Sequence, residues 1–382
     1  MKFLFKNYLC ILLLFGLPNV TYGAAKTKPM VPSIISIEAE TGMVLYEKNA
    51  DVCRPPASMI KIMQMLLVSE GLREGKWTLD QKITASRKAQ RMGGTQVYLQ
   101  AGDVFTLDHL MKAVSVASAN DATMAVAEGL WGSEDTYKEA MNARAQELGM
   151  KDSVFHSVHG LPPDWGNPYD ATTARDMALL AQACVKEEQV LKWTNMRELQ
   201  FRPGEAKKYT TNKLLRRRDD MDGLKTGFIS KAGFCVTSTI EKNGVRIIAV
   251  LMGYQDKVKR FNEAERLLDE GVAAFKRGQL VAKGTEKAPK VSVANCETPT
   301  LQLEVSNEIK LMVLSHKWDN IELVWEHPKS VTAPVKKGDR IGTVSAVLGG
   351  EVLAKSELLA SADMAEASLA WKIEQSILSF FE

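Results

Sequence analysis

The sequence predicts an α+β fold. It is a mainly antiparallel sheet with flanking helices, followed by a small all-β domain and a C-terminal amphipathic helix. Three observations predict it. Strand-like runs near the start return at residues 234–252, with helical spacing between them. Residues 301–347 hold only short-period, strand-like runs. Near the chain end, apolar residues recur at helical spacing. Strand, helices, strands, helix is the order of an α+β domain.

The elements follow in chain order. Met1-Lys2-Phe3-Leu4-Phe5-Lys6 is basic, residues 9–17 are apolar, and Thr21-Tyr22-Gly23-Ala24-Ala25 offers small residues for cleavage. The apolar run is too short to span a bilayer comfortably, so residues 1–23 read as a secretory signal peptide. The mature protein is expected outside the cytoplasmic membrane, in the periplasm or peripherally on the outer face of that membrane. Residues 32–48 alternate across the turn Thr41-Gly42 and predict a hairpin. Pro55-Pro56-Ala57 then sets the start of a helix through Ser58 that is apolar on every side. Helical spacing predicts one long helix over 107–130, then helices over 134–148 and 173–185. Residues 159–168 form a loop by their Gly and Pro content. Residues 234–239 and 245–252 predict two strands around Glu241-Lys242-Asn243-Gly244, and a helix over 262–275 closes this part.

The resulting division is a catalytic domain over 30–282, a β-domain over 290–360 and a tail helix over 361–382, with linker-like sequence over 283–299. In the tail, Leu369, Ile373, Ile377, Phe380 and Phe381 share one helical face. Such a helix can lie in a membrane surface or pack on its own domain.

Composition narrows the function. The chain is 45% apolar and 25% charged, as a soluble globular protein is, and its net charge of +3 gives no reason to expect nucleic acid as a partner. His156 and His159 lie three apart in a Gly/Pro-bounded loop without a third ligand nearby, so neither metal nor cofactor is expected. Cys53, Cys184, Cys235 and Cys296 remain after the leader. They allow three pairings, or none if each is a separate thiol.

The most informative stretch is Ser58-Met59-Ile60-Lys61. Residues three apart share a helical face, so the hydroxyl and the amine can touch. Burial disfavours an ammonium, and a neutral amine beside a hydroxyl can take its proton and make a nucleophile. Two later motifs supply surroundings for that pair. Ser118-Ala119-Asn120 offers a second hydroxyl and an amide that donates and accepts. Lys225-Thr226-Gly227 offers a cation, a hydroxyl and a glycine where backbone must approach a ligand closely.

S-x-x-K, S-x-N and K-T-G, in this order, resemble the penicillin-binding-protein and serine β-lactamase superfamily. Within it the chain is similar to the low-molecular-weight D-alanyl-D-alanine carboxypeptidases. Supporting stretches are Val158-His159-Gly160-Leu161, Ala174-Arg175-Asp176-Met177-Ala178 and Lys231-Ala232-Gly233. The resemblance implies a β-lactamase/transpeptidase-like fold. It implies an enzyme that removes the terminal D-alanine of peptidoglycan stem peptides through an acyl-enzyme on Ser58, and that β-lactams acylate. It implies Lys61 as base, Ser118 as proton relay and Asn120 as a peptide-orienting group. Lys225, Thr226 and Gly227 would hold the carboxylate end of the substrate, and Arg260 matches a family arginine near that carboxylate. The oxyanion hole would be the backbone N–H groups of Ser58 and Phe228. It also implies membrane contact through the tail.

Two departures stand out: Ala119 where many relatives have glycine, and Phe228 where histidine is common. Arg260 also reads as an ordinary solvated arginine in the basic run Lys257-Val258-Lys259-Arg260. The rival enzymes are a β-lactamase and a DD-endopeptidase. No Glu-x-x-Leu-Asn sequence lies between Asn120 and Lys225, which disfavours the first. A catalytically silent wall-binding protein would be expected to have lost one of the motif residues.

Overall fold

The computed structural model describes residues 30–378. The leader over 1–23 and the tail residues Phe380 and Phe381 lie outside the described residues.

The catalytic part is built on a five-stranded sheet. Its strands are β1 (Ser33–Glu38), β2 (Val44–Lys48), β3 (Met221–Ile229), β4 (Gly233–Lys242) and β5 (Val245–Tyr254). Their spatial order is β2-β1-β5-β4-β3, and every neighbouring pair is antiparallel. The first hairpin therefore joins strands from late in the chain, through Ile34 opposite Leu251 and Ile37 opposite Ile248. Side chains alternate between two cores, as a strand's period of two requires. Ile35, Ile37, Ile248 and Val250 face the helical layer, whereas Ile34, Ile247 and Leu251 pack with Leu267 and Leu268.

The helical layer holds α1 (Lys61–Arg73), α2 (Leu107–Lys112), α3 (Asn120–Trp131), α4 (Glu134–Glu147), α5 (Ala174–Cys184) and α6 (Glu188–Thr194). The other face carries α7 (Lys259–Ala273). In α1, Ile62, Met63, Met65, Leu66 and Val68 are all fully buried. This is the element apolar on every side that the sequence predicts.

Three local differences from the sequence reading have physical causes. The continuous helix expected over 107–130 is broken. A wider π-type turn runs over Ala113–Ala117, and Ser118 takes a left-handed conformation at φ 58° and ψ 32°. Its N–H bonds the Ala113 carbonyl, and α3 restarts at Asn120. Such turns recur at functional sites. Ser58 itself lies in a 3-10 turn, Ala57–Ile60, ahead of α1. Residues three apart eclipse in that geometry, which favours the Ser58–Lys61 contact. Helix α7 begins at Lys259 because the Asp256 carboxylate accepts from the N–H groups of Val258 and Lys259.

Beyond α7 the chain is mainly β up to the tail, with one 3-10 helix over Ser315–Asn320. Strands β6 (Phe275–Val281), β7 (Lys290–Ala294), β8 (Thr300–Val305), β9 (Ile309–Leu314), β10 (Glu322–Glu326), β11 (Ser330–Thr332), β12 (Arg340–Leu348) and β13 (Glu351–Ala360) follow. They form a six-stranded sheet in the order β10-β12-β13-β8-β7-β11 and a two-stranded ribbon of β6 and β9. Strand β7 thus lies inside the segment that reads as a linker. Residues 275–281, attached by sequence to the catalytic part, pair with β9 instead. Leu301, Leu303, Val344 and Leu358 make a core separate from the catalytic ones. The tail helix α8 (Leu369–Leu378) follows. Its apolar positions Leu369, Ile373 and Ile377 are 76%, 55% and 55% exposed. Among the described residues no helix is long and apolar enough to cross a membrane. Cys53 is exposed, Cys184, Cys235 and Cys296 are buried, and all four are free thiols.

Candidate active site

Three elements converge on Ser58. Strand β3 crosses the turn that carries it so closely that a Cβ on Gly227 would stand 2.6 Å from the Pro56 carbonyl oxygen and 3.2 Å from the Met59 nitrogen. This is the close backbone approach for which a strand glycine is suited. The Ser118 turn forms the opposite wall. The third element, the loop at residues 156–161, closes the back. Together they bound a cleft of about 420 Å³ whose lining includes Ser58, Ser118, Asn120, Thr226, Phe228 and Arg260.

Lys61 lies beneath Ser58 and is fully buried. Its Nζ is 3.1 Å from Ser58 Oγ, 2.7 Å from Asn120 Oδ1 and 2.9 Å from the His159 carbonyl oxygen. The Asn120 amide is oriented by its own Nδ2, which donates to the Gly93 carbonyl at 2.7 Å, so Oδ1 must face the lysine. Burial, and then the nearby charge of Lys225, holds the Lys61 ammonium well below the usual lysine range. A neutral amine has two N–H donors and one lone pair. The two oxygens that can only accept, Asn120 Oδ1 and the His159 carbonyl, take both N–H groups. The lone pair is then left for the Ser58 hydroxyl proton.

The supports of this arrangement are themselves fixed. The buried Asp121 carboxylate accepts from the N–H groups of Val97 and Leu99. That holds the 95–99 segment, whose Thr95 carbonyl receives the Asn120 N–H at 2.8 Å. Asp170 accepts from the backbone of His156 and Ser157 and from the Ser157 hydroxyl. Ser157 Oγ in turn accepts from the Gly160 N–H at 2.8 Å. Gly160 has φ +80°, and a Cβ there would lie 2.1 Å from the Ala57 carbonyl oxygen.

Lys225 and Thr226 stand on the strand side. Lys225 is buried, and burial followed by the Arg260 charge pulls its ammonium down to about 7. Its Nζ donates to the Thr226 carbonyl at 3.2 Å, and Thr226 Oγ1 donates to Thr211 Oγ1 at 2.7 Å. Arg260 is not the solvated arginine of a basic run. It is 7% exposed, donates to the Cys235 carbonyl at 2.6 Å and lies over the rings of Phe261 and Phe234. Burial lowers it to about 10. Phe228 is 52% exposed and stacks on Phe234 with ring centroids 4.3 Å apart.

All nine residues singled out from the sequence therefore meet around one cleft. Four contributors escape sequence reasoning. The His159 carbonyl is a backbone group, and the side chain gives no hint of it. Thr211 and Thr95 carry no motif at all. Asp170 has a signal only in hindsight, as an acid next to a Gly/Pro-rich loop.

A serine hydroxyl on a buried lysine, walled by a second serine and by an edge strand with Lys-Thr-Gly, defines a serine-type acyl-transfer hydrolase of the penicillin-binding class. The family described as D-alanyl-D-alanine carboxypeptidase, peptidase S11, matches residues 23–256, and the penicillin-binding protein 5 C-terminal domain matches residues 275–366. The chain belongs to that D-alanyl-D-alanine carboxypeptidase family. It is 34% identical over 341 residues to the D-alanyl-D-alanine carboxypeptidase DacF of Bacillus subtilis, covering 88% of this chain and 86% of the relative. Penicillin-binding protein 5 of Haemophilus influenzae superposes with a TM-score of 0.64 at 26% identity, covering 90% of this chain and 100% of that one. The ampicillin-bound penicillin-binding protein D2 of Listeria monocytogenes is 31% identical with a TM-score of 0.56, covering 63% of this chain and 96% of that one.

Gly160→Ala should disrupt the site, since the added methyl meets backbone and the left-handed φ strains any other residue. The expected result is loss of fluorescent-penicillin labelling while far-UV circular dichroism stays near wild type. Normal labelling would show that the loop can move without harming the lysine.

Proposed function

We propose that Ser58 is the nucleophile of a D-alanyl-D-alanine carboxypeptidase that trims the terminal D-alanine from peptidoglycan stem peptides. The observation that carries this reading is the buried Lys61 amine with two carbonyl-type acceptors and one hydroxyl around it. Ser58 Oγ attacks the carbonyl carbon of the penultimate D-alanine, and its proton passes to the Lys61 lone pair. The oxyanion that forms accepts from the N–H groups of Ser58 and Phe228, at the start of a helix whose dipole favours negative charge. The C–N bond then breaks, and the proton reaches the leaving amine through Ser118. D-Alanine departs, and water hydrolyses the Ser58 ester. Asn120 orients the peptide as well as the lysine. Thr226, Lys225 and Arg260 hold the substrate's terminal carboxylate, on the strand where Gly227 permits close approach.

β-Lactams are covalent inhibitors in this reading, because the lactam carbonyl takes the place of the scissile amide. Slow rather than rapid lactam hydrolysis is supported by Asp170. Its carboxylate is engaged by three donors and is not free to activate water.

The protein works outside the cytoplasmic membrane, with residues 1–23 removed as a leader. Helix α8 lies flat on the membrane surface. Support comes from the exposed stripe of Leu369, Ile373 and Ile377, which the β-domain leaves uncovered.

D-Alanine release from a peptide ending in D-Ala-D-Ala, measured beside penicillin hydrolysis, separates the readings. Release with slow lactam turnover is expected, and the reverse would make the protein a β-lactamase. Ser58→Ala should abolish covalent penicillin labelling; label that persists would place the nucleophile elsewhere. Lys61→Ala should still bind ligand but acylate about 10²–10⁴-fold more slowly, the usual contribution of a positioned base. The pH profile follows from the two lysines. Both have lowered values, so Lys61 is neutral and able to accept a proton well below the ordinary lysine range. Lys225 must keep its proton to hold a carboxylate, and it loses it near about 7 in the free enzyme. The kcat/KM for peptide should therefore fall as pH rises through that value. A profile flat to pH 10 would remove Lys225 from carboxylate binding.

A further inference from the structure

Thr211 and Thr226 both line the Ser58 cleft, yet Thr211 belongs to none of the three motifs. The chain around it is built to present it. Thr210 and Asn212, on either side, are buried, whereas Thr211 is half-buried. The two neighbours are spent on anchoring. The Thr210 N–H donates to the Arg197 carbonyl at 2.8 Å, and Thr210 Oγ1 accepts from the Asn212 N–H at 3.2 Å. Asn212 Oδ1 accepts from the Leu214 N–H, and Asn212 Nδ2 donates to the Gly223 carbonyl, both at 3.2 Å. Gly223 lies on β3, the strand of Lys225 and Thr226. Thr211 is therefore tied to the wall that carries the Lys-Thr-Gly motif.

We propose that Thr211 is a further substrate-binding residue. Its hydroxyl donates to the substrate's terminal carboxylate alongside Thr226, and it favours peptides that end in a free carboxylate over peptides that end in an amide. The inference rests on the carboxypeptidase reading above.

The count of protons supports the role. A threonine hydroxyl has one proton and two lone pairs. One lone pair of Thr211 takes the Thr226 proton at 2.7 Å. Among the described residues, nothing accepts the proton of Thr211 itself. An unspent donor is thus left in a cleft whose one charged lining residue is the cation Arg260. That combination suits a ligand group that is negative and only accepts. A carboxylate is such a group, and its two oxygens can take one hydroxyl each. The Thr226 proton turns from Thr211 to the carboxylate, and both hydroxyls then donate to one anion. A terminal amide has one accepting oxygen in place of two and no charge, so the second hydroxyl loses its charge-assisted bond.

Two N-acylated peptides of one sequence ending in D-Ala-D-Ala, one with a free carboxylate and one as its C-terminal amide, test this. The wild-type enzyme should cleave the acid with the higher kcat/KM. Thr211→Val keeps the shape and removes the hydroxyl. It should cut the preference about tenfold, the scale of one hydrogen bond to a charged group, by slowing the acid and leaving the amide unchanged. Thr211→Ala should do the same, and Thr211→Ser should keep the preference. Thermal melting at the wild-type midpoint would show each variant folded. A merely structural role would slow both peptides alike. Equal loss on both peptides in a folded variant, a preference that Thr211→Val keeps, or one that Thr211→Ser loses overturns this inference. D-Alanine release from the acid by the wild type leaves the carboxypeptidase reading standing in each of those cases. No D-alanine release by the wild type overturns both.

Discussion

The structure turns on keeping one amine dry. An ammonium taken out of water carries an effective penalty of several kcal/mol even after relaxation, unless its protons are matched. Lys61 is fully buried, and that burial favours the amine without its charge. A neutral amine still needs its two N–H groups satisfied, since an unpaired buried donor costs free energy. The fold supplies one acceptor from Asn120 and one from the backbone at His159. They come from two separate elements, the wall beginning at Ser118 and the loop at the back of the cleft. Breaking the helix at Ser118, capping the 156–161 loop with Asp170 and placing glycine at 160 all serve to bring those oxygens to one nitrogen.

The same requirement explains the topology around the site. Asn120 must be rigid, and it is the first residue of α3, tied back to Gly93 and Thr95. The strand wall must approach Ser58 without a side chain between them, and Gly227 allows it. Strand β3 is the edge of the sheet. Its inner neighbour β4 ties it to the rest of the sheet. The two lysines of the site then divide the work by environment. Both are fully buried, but Lys61 faces acceptors and Lys225 faces another cation, Arg260, and the strand backbone.

Much of this was legible in the sequence, because it was written in side chains. An apolar run interrupted by a serine and a lysine, a serine with an asparagine, and Lys-Thr-Gly at a strand were enough to name the walls. The strand alternation foretold the sheet and the second, all-β unit. What was missed was written in backbone. Helical spacing runs straight through Ser118, since periodicity registers apolar positions and is blind to one residue turning left-handed. The lysine's third neighbour is a carbonyl, which every residue has. The boundary at β6 was missed because a strand directly after a helix has no turn residues to announce it: Ala274 ends one element, and Phe275 starts the next. Arg260 was ambiguous for a related reason, since a basic run looks solvated until two aromatic rings and a carbonyl are brought against one of its members.

The fate of the acyl-enzyme follows from the same accounting of protons and lone pairs. A class A β-lactamase deacylates with a carboxylate free to polarise water. Here the loop in that region does hold a buried acid, Asp170, but its oxygens are occupied by two N–H groups and a hydroxyl. That acid builds the loop that positions the His159 carbonyl, so freeing it for water would loosen the acceptor on which Lys61 depends. In the proposed reaction the group left to activate water is the Lys61 amine, neutral again once the leaving D-alanine has taken its proton. A compact amide substrate, whose leaving group departs and vacates the cleft, leaves room for water beside that amine. A β-lactam's leaving amine stays tethered to the acyl group, so the same site becomes a trap.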